Sequence, residues 1–224
     1  MHHQPSSNSP SPLNLNPFKS IDEIAFEKSR YYITMSSLLK GYELYGWQPD
    51  EGLSNDENFM DLCMIITRSS KLKQGSMACL LVNEIEDPTT KTDSFDAIIS
   101  VANNKPLFSE NDSDIHAEIA ALGQACRSGT RTENATAYIT MPPCKRCFAA
   151  LTVAGIRRIV TRYDPPKKIQ ETAVRNNMQF IKISNHTEQM TRINTLINGD
   201  HSGKKRKNDD TDEISTEKIK KDEI

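Results

Sequence analysis

The sequence is short of apolar residues. They make up 36% of 224 positions, low for a chain folded from end to end, and the shortage points to ends that carry no core. No apolar run approaches the roughly 20 residues needed to cross a bilayer. The opening MHHQPSSNSPSPLNLNPF lacks the apolar h-region of a secretory signal. Net charge is nearly missing too. Against 30 Asp and Glu stand 28 Lys and Arg, leaving −2, so no global basic field draws in nucleic acid and any such contact would need a local patch. Cysteine is scarce and odd in number. The five, Cys63, Cys79, Cys126, Cys144 and Cys147, are spread too widely for a disulfide framework. Cys63, Cys79 and Cys126 stand among apolar neighbours and are expected to be small buried hydrophobes. These absences predict a cytoplasmic protein in a reducing compartment, with no membrane partner.

What is present divides into four parts. Residues 1–19, rich in Ser, Pro and Asn, are expected to be disordered. Residues 20–56 form a helical extension, with an amphipathic pattern over 21–45 that ends near Gly46. Residues 57–198 carry the folded domain. Residues 199–224 are nearly all polar and charged and read as a disordered tail, in which Lys204, Lys205, Arg206 and Lys207 could serve as a nuclear localisation signal.

Within the domain, ENFMDLCMIITRSS places Phe59, Leu62, Cys63 and Ile66 on one helical face. MACLLVNEI and DAIISVANN are strands joined by the turn EDPTTKTD, a hairpin. KPLFSENDSD is a loop with several possible N-caps, leading into a helix over 114–126. Strand NATAYITM, a helix after MPP that stops at Gly155, strand IRRIVTRY, a helix after DPPKK, strand QFIKIS and a last helix complete the order. A hairpin followed by alternating helix and strand predicts an α/β fold, a three-layer sandwich with a mixed five-stranded sheet and helices on both faces.

Two short stretches carry chemistry. Cys144 and Cys147 stand three apart at a predicted helix start, where that spacing puts both sulfurs on one face and the N-terminus favours thiolate, the metal-binding form. Pro142 and Pro143 suit a helix entrance, where a missing N–H costs little. Two thiolates need partners. Of the five histidines, His2, His3 and His201 fall in the ends, and His186 follows the last strand as a surface residue. His116 begins a helix. His116, Cys144 and Cys147 make three zinc ligands and leave a fourth position for water, because no further Cys or His stands near either stretch to close the site. Glu118 is the natural base beside such a water. Residues two apart do not share a face inside a helix, so the pair works only if His116 sits at the helix edge and Glu118 in the first turn.

His116-Ala117-Glu118 followed by Pro143-Cys144-Lys145-Arg146-Cys147 resembles the zinc-dependent cytidine and deoxycytidylate deaminase superfamily, whose H-x-E…P-C-x-x-C signature these residues carry. The element order fits that fold over residues 57–184. The resemblance implies Zn²⁺ held by His116, Cys144 and Cys147, which lowers the pKa of its water to around 7 for attack on C4 of cytosine, or on C6 of adenine in some relatives. It implies Glu118 as the proton shuttle. It also implies substrate contacts from Ala117, Pro143 and an Asn before the histidine, for which Asn104 is preferred over Asn103. A homo-oligomer is implied as well.

Three activities compete. A cytosine nucleoside or nucleotide deaminase resembling deoxycytidylate deaminase is favoured by the run RYDPPKKIQETAVRNNMQFIKI, although the Asn-Lys-Pro loop lacks the Gly-containing form usual there. A tRNA adenosine deaminase is suggested by HAEIAAL and Asn104-x-Pro106, but PPCKRC lacks the Glu before Pro and the Met before the second Cys usual in that branch. A non-catalytic zinc-binding partner subunit is disfavoured because Glu118 is retained. Lys145, Arg146, Arg157, Arg158, Arg162, Lys167 and Lys168 could meet a phosphate or an RNA backbone, but a solvated face is the simpler expectation. Trp47 is expected to pack in the core rather than stack on a base.

Overall fold

A computed structural model describes residues 37–70, 72, 75–83 and 97–199. The expected disordered segment at 1–19 and all but Gly199 of the one expected at 199–224, with Lys204–Lys207, lie outside the described residues, as do the turn at 86–93 and most of the helix expected over 21–45; Gly199 itself ends the last helix. The part of that helix that is described, 37–45, is helical only at residues 37 and 38 and is otherwise turn or irregular. Leu39 and Trp47 are nevertheless buried in the apolar core of the domain.

Helix α1 (Asn55–Arg68) opens on a capping box: the Ser54 hydroxyl accepts the Glu57 N–H and the Glu57 carboxylate accepts the Ser54 N–H. Every residue from Asn58 to Ile66 is buried. The sequence pattern marks one apolar face, but α1 is enclosed all round. The sheet covers one side; Leu39, Trp47 and the last helix, α5 (His186–Gly199), pack into the same cluster. The polar residue Asp61 tolerates this because its carboxylate accepts from Gln189 at 2.8 Å and from the Arg192 Nε at 2.9 Å, both on α5.

Strand β1 (Ala78–Val82) pairs antiparallel with β2 (Ile98–Asn103) and with β3 (Thr136–Ile139). Strands β4 (Arg158–Thr161) and β5 (Gln179–Lys182) continue in parallel, giving the order β2-β1-β3-β4-β5. Successive side chains alternate between faces. Leu80, Tyr138 and Val160 pack towards α1 and α5. Leu81, Ile139 and Ile159 pack towards α2 (Ala117–Arg127), α3 (Lys145–Val153) and α4 (Lys167–Arg175). The expected three-layer sandwich with a mixed five-stranded sheet is what forms.

This topology makes β2 and β3 run the same way, so both end at one edge of the sheet. The loops that leave that edge lead into α2 and α3. Helix α3 is stopped by Gly155 at φ +81°, whose N–H reaches the Thr152 carbonyl, while the Ile156 N–H reaches Leu151. A side chain at Gly155 would also press on the Glu133 Cα, 3.1 Å from the position its Cβ would take.

Three expectations need correction. The helix expected over 114–126 begins at Ala117, because Asp114 turns its carboxylate back to the N–H groups of Leu107, Phe108 and Ser109 and braces its own loop instead of capping the helix. Cys63 and Cys79 are buried as expected, but Cys126 is exposed. Ala117, Ala121 and Ala125 form the buried stripe of α2, four apart, which turns position 126 away from the core. His186 is half-buried at the start of α5, with a ring nitrogen 2.7 Å from the Ile183 carbonyl and its ring edge-on to Tyr163.

Candidate active site

The two helices that begin at this sheet edge present their N-terminal ends to each other. His116 is the N-cap of α2, with extended backbone (φ −66°, ψ 151°) and no side-chain capping bond. Its imidazole is therefore free of the helix. Cys144 is the N-cap of α3, also extended, and its sulfur accepts the Cys147 N–H at 3.5 Å. The result is a compact donor set. His116 Nδ1 lies 3.4 Å from the Cys147 Sγ and 3.8 Å from the Cys144 Sγ. The three donors fall within 4.8 Å of one another.

Zinc at its usual bond lengths in a tetrahedral site would space a nitrogen and a sulfur about 3.6 Å apart, which these separations bracket. The electrostatics agree. Burial, then the neighbouring Glu118 and Cys144, push the Cys147 thiol up, which sets acidic groups close together at the buried end of the donor set. A divalent metal relieves that conflict, and the positive ends of two helix dipoles favour the thiolates that would bind it. The donor set fits zinc.

Glu118 is the second residue of α2, in its first turn. The two-residue spacing from His116 thus works, because His116 is the cap and lies outside the helix proper. The Glu118 side chain is 5% exposed. Burial raises its pKa, opposed by its own backbone N–H, by His116 and by Cys147. A carboxyl held closer to neutrality is suited to passing a proton in both directions. Glu118, His116 and Cys144 line one wall of a cavity of about 270 Å³ whose other walls include Gly75, Met77, Asn104 and Ser113.

Of the remaining expected contacts, Asn104 and Ala117 line this cavity. Asn103 points to the other layer and donates to the Ile66 carbonyl of α1. Pro142 is in the cavity wall; Pro143 is buried and is not one of the lining residues. The basic residues after the cysteines are not all exposed. Lys145, Arg146, Arg157, Lys167 and Lys168 are exposed. Arg158 instead forms a half-buried ion pair with Asp56 beside Tyr138, and Arg162 is buried against Met64 and Tyr163. Trp47 is buried, as expected. Gly75, Met77, Ser113, Met141 and Pro142 were not anticipated, since nothing in their local sequence marks them and only the convergence of loops brings them to the cavity.

Three donors that could hold a metal ion thus stand at two helix N-termini, with a buried carboxyl beside them and a small cavity in front. Residues 53–163 match the family model for the cytidine and deoxycytidylate deaminase zinc-binding region. Two curated relatives are similar over shorter stretches. One is a deoxycytidylate deaminase of Enterobacteria phage T4, 33% identical over 87 residues, which are 37% of this chain and 45% of the relative. The other is a tRNA-specific adenosine deaminase of Buchnera aphidicola subsp. Schizaphis graminum, 43% identical over 56 residues, 24% of this chain and 37% of the relative. The chain thus spans less than half the length of these relatives. Among solved structures, the dCMP deaminase of cyanophage S-TIM5 in complex with dCMP and dUMP aligns with 61% of this chain and 100% of its own, at 15% identity and a TM-score of 0.48.

Proposed function

We propose that this chain is a zinc-dependent hydrolytic deaminase of a cytosine nucleoside or nucleotide. The observation that carries the reading is Glu118: a buried carboxyl with a raised pKa, in the wall of the cavity that also holds two of the three metal donors, His116 and Cys144. A non-catalytic zinc module has no need of such a group there. When bound, zinc supplies a polarised water whose pKa falls to around 7. In this reading Glu118 would accept a proton from the attacking water and pass it to the ring nitrogen next to the reacting carbon. It would then take the proton of the hydroxyl added at C4 and deliver it to the departing amino group, leaving the carbonyl. Water adds at C4, ammonia leaves, and cytosine becomes uracil, so atoms and charge balance. A cavity of this size suits one base or nucleoside.

Adenosine in tRNA is the second reading, supported by the 43% identity to a tRNA-specific adenosine deaminase. Ammonia release by the purified, zinc-loaded full chain separates the two. The panel is cytosine, cytidine, deoxycytidine, CMP, dCMP and unmodified tRNA, each run beside Glu118→Gln. Release from a cytosine compound that disappears in Glu118→Gln is the expected result. Release from tRNA alone replaces the first reading by the second. A Glu118→Gln protein that binds zinc and works at the wild-type rate overturns the mechanism.

A further inference from the structure

We infer that Ser113 contacts the substrate, donating its hydroxyl proton to an acceptor oxygen of the bound base or sugar, and that Asn104 is the positioning residue that aims it. This inference rests on the deaminase reading for a substrate to be in the cavity at all. Its basis is a count of hydrogens at one wall. The Asn104 Nδ2 donates to the Gly75 carbonyl at 2.6 Å and to the Ser113 Oγ at 2.7 Å. Its Oδ1 accepts the Met77 N–H at 3.0 Å. An amide nitrogen has two hydrogens, and both are engaged. The amide cannot flip, because the Gly75 carbonyl requires a donor and the Met77 N–H requires an acceptor. Although Asn104 lines the cavity, it has no proton left for a ligand.

Ser113 is in the opposite position. Its oxygen accepts from Asn104, and a nitrogen with both hydrogens donated offers no acceptor in return. The Ser113 hydroxyl proton must point elsewhere, and it has no acceptor among the described residues. Among the described residues that line the cavity, Ser113 alone carries a hydroxyl.

The loop that carries Ser113 is braced at both ends. Lys105 and Ile115 exchange backbone hydrogen bonds of 2.8 and 2.9 Å, and the Asp114 carboxylate accepts from Leu107 and Phe108 at 2.8 Å each. The hydroxyl is therefore held in place before a ligand arrives, which lowers the ordering cost of using it. Glu118 and the metal donors serve the amino end of the base. Ser113 and Asn104 stand on the wall built from the end of β2 and the loop before α2, where the rest of the substrate must lie.

The test is steady-state kinetics of the zinc-loaded full chain, comparing wild type with Ser113→Ala, Ser113→Thr, Asn104→Ala and the Ser113→Ala/Asn104→Ala double variant. Zinc content and thermal midpoint are measured for each, on cytosine, cytidine, deoxycytidine and dCMP. One neutral hydrogen bond lost from the bound state predicts that Ser113→Ala raises KM roughly three- to tenfold while kcat stays within about twofold. Ser113→Thr, which keeps the hydroxyl, restores KM. The double variant is no worse than the poorer single one, because both remove the same contact. A KM effect present with cytosine identifies the base carbonyl as acceptor, and one confined to the nucleosides identifies the sugar; either supports the assignment. An unchanged KM in Ser113→Ala, on a substrate that wild type turns over, overturns it and leaves the deaminase reading standing. So does a KM rise matched by loss of zinc or of thermal midpoint, which would make Ser113 structural. A wild-type protein that turns over nothing in the panel overturns the deaminase reading, and the Ser113 assignment with it.

Discussion

At the scale of single residues, the site depends on where side chains sit relative to the first turn of a helix. His116 and Cys144 are caps, Glu118 and Cys147 lie two and three positions further in, and each pair reaches the same point from its own helix. Glu118→Gln keeps the shape of the side chain and removes its ability to take a proton. The expected outcome is a fall of about 10²-fold or more in kcat with full zinc occupancy, read by ammonia release alongside metal analysis. The motif made these residues legible, because histidine, glutamate and two cysteines at this spacing have little structural reason to occur together. Ser113 was not legible. A serine in a loop rich in Ser, Asp and Asn carries no local signal, and its role comes from the Asn104 amide, nine residues away in sequence.

Among the elements, α1 carries no metal donor and lines no part of the cavity, yet it holds up the sheet edge from below. Its capping box makes a prediction with a pH signature. Ser54→Ala should lower unfolding free energy by about 1 kcal/mol in chemical denaturation. The Ser54 hydroxyl, then the Ser54 N–H, hold the Glu57 carboxyl below its usual range, helped by Asn185 and Arg192 and opposed by burial. A depressed carboxylate stabilises the fold above its unfolded pKa and loses that contribution as pH falls through the folded value. The stability gap between wild type and Glu57→Gln should therefore hold steady near neutrality and close below about pH 4. If the gap is the same at pH 3 and pH 7, the ionised cap is not the cause.

Asp61 carries the larger effect. It is 3% exposed and bonded to Gln189 and Arg192 of α5. Asp61→Ala leaves those partners unpaired in the core and should destabilise by about 3–5 kcal/mol, measured by the same denaturation. The apolar pattern of α1 gave only one face because periodicity reports apolar residues alone, and Asn58 and Asp61 are buried through hydrogen bonds instead.

For the whole molecule, the metal donors come from two helices that follow different strands, so zinc ties α2 to α3 and the two strands behind them. A ligand that binds only the folded state stabilises it by mass action, about 2.7 kcal/mol at a free concentration one hundred times Kd. Chelation should then lower the thermal midpoint by about 5–10 °C, and restored zinc should bring it back. Cys147→Ser should start near the chelated value and respond little to chelator; a full response would place the metal elsewhere.

The sequence by itself determined the fold class, the succession of strands and helices along the chain and the motif in which the four candidate site residues stand. Period-two and period-3.6 patterns, proline and glycine punctuation and a spaced motif are all local, and local signals survive without coordinates. Tertiary structure decided the rest: that α2 begins at Ala117, that Cys126 faces solvent, that Arg158 and Arg162 leave the basic surface, and that Asn104 hands its hydrogens to Gly75 and Ser113. Each of these turns on a partner far away in the chain or on which side of an element the core lies, and no window of neighbouring residues contains that information.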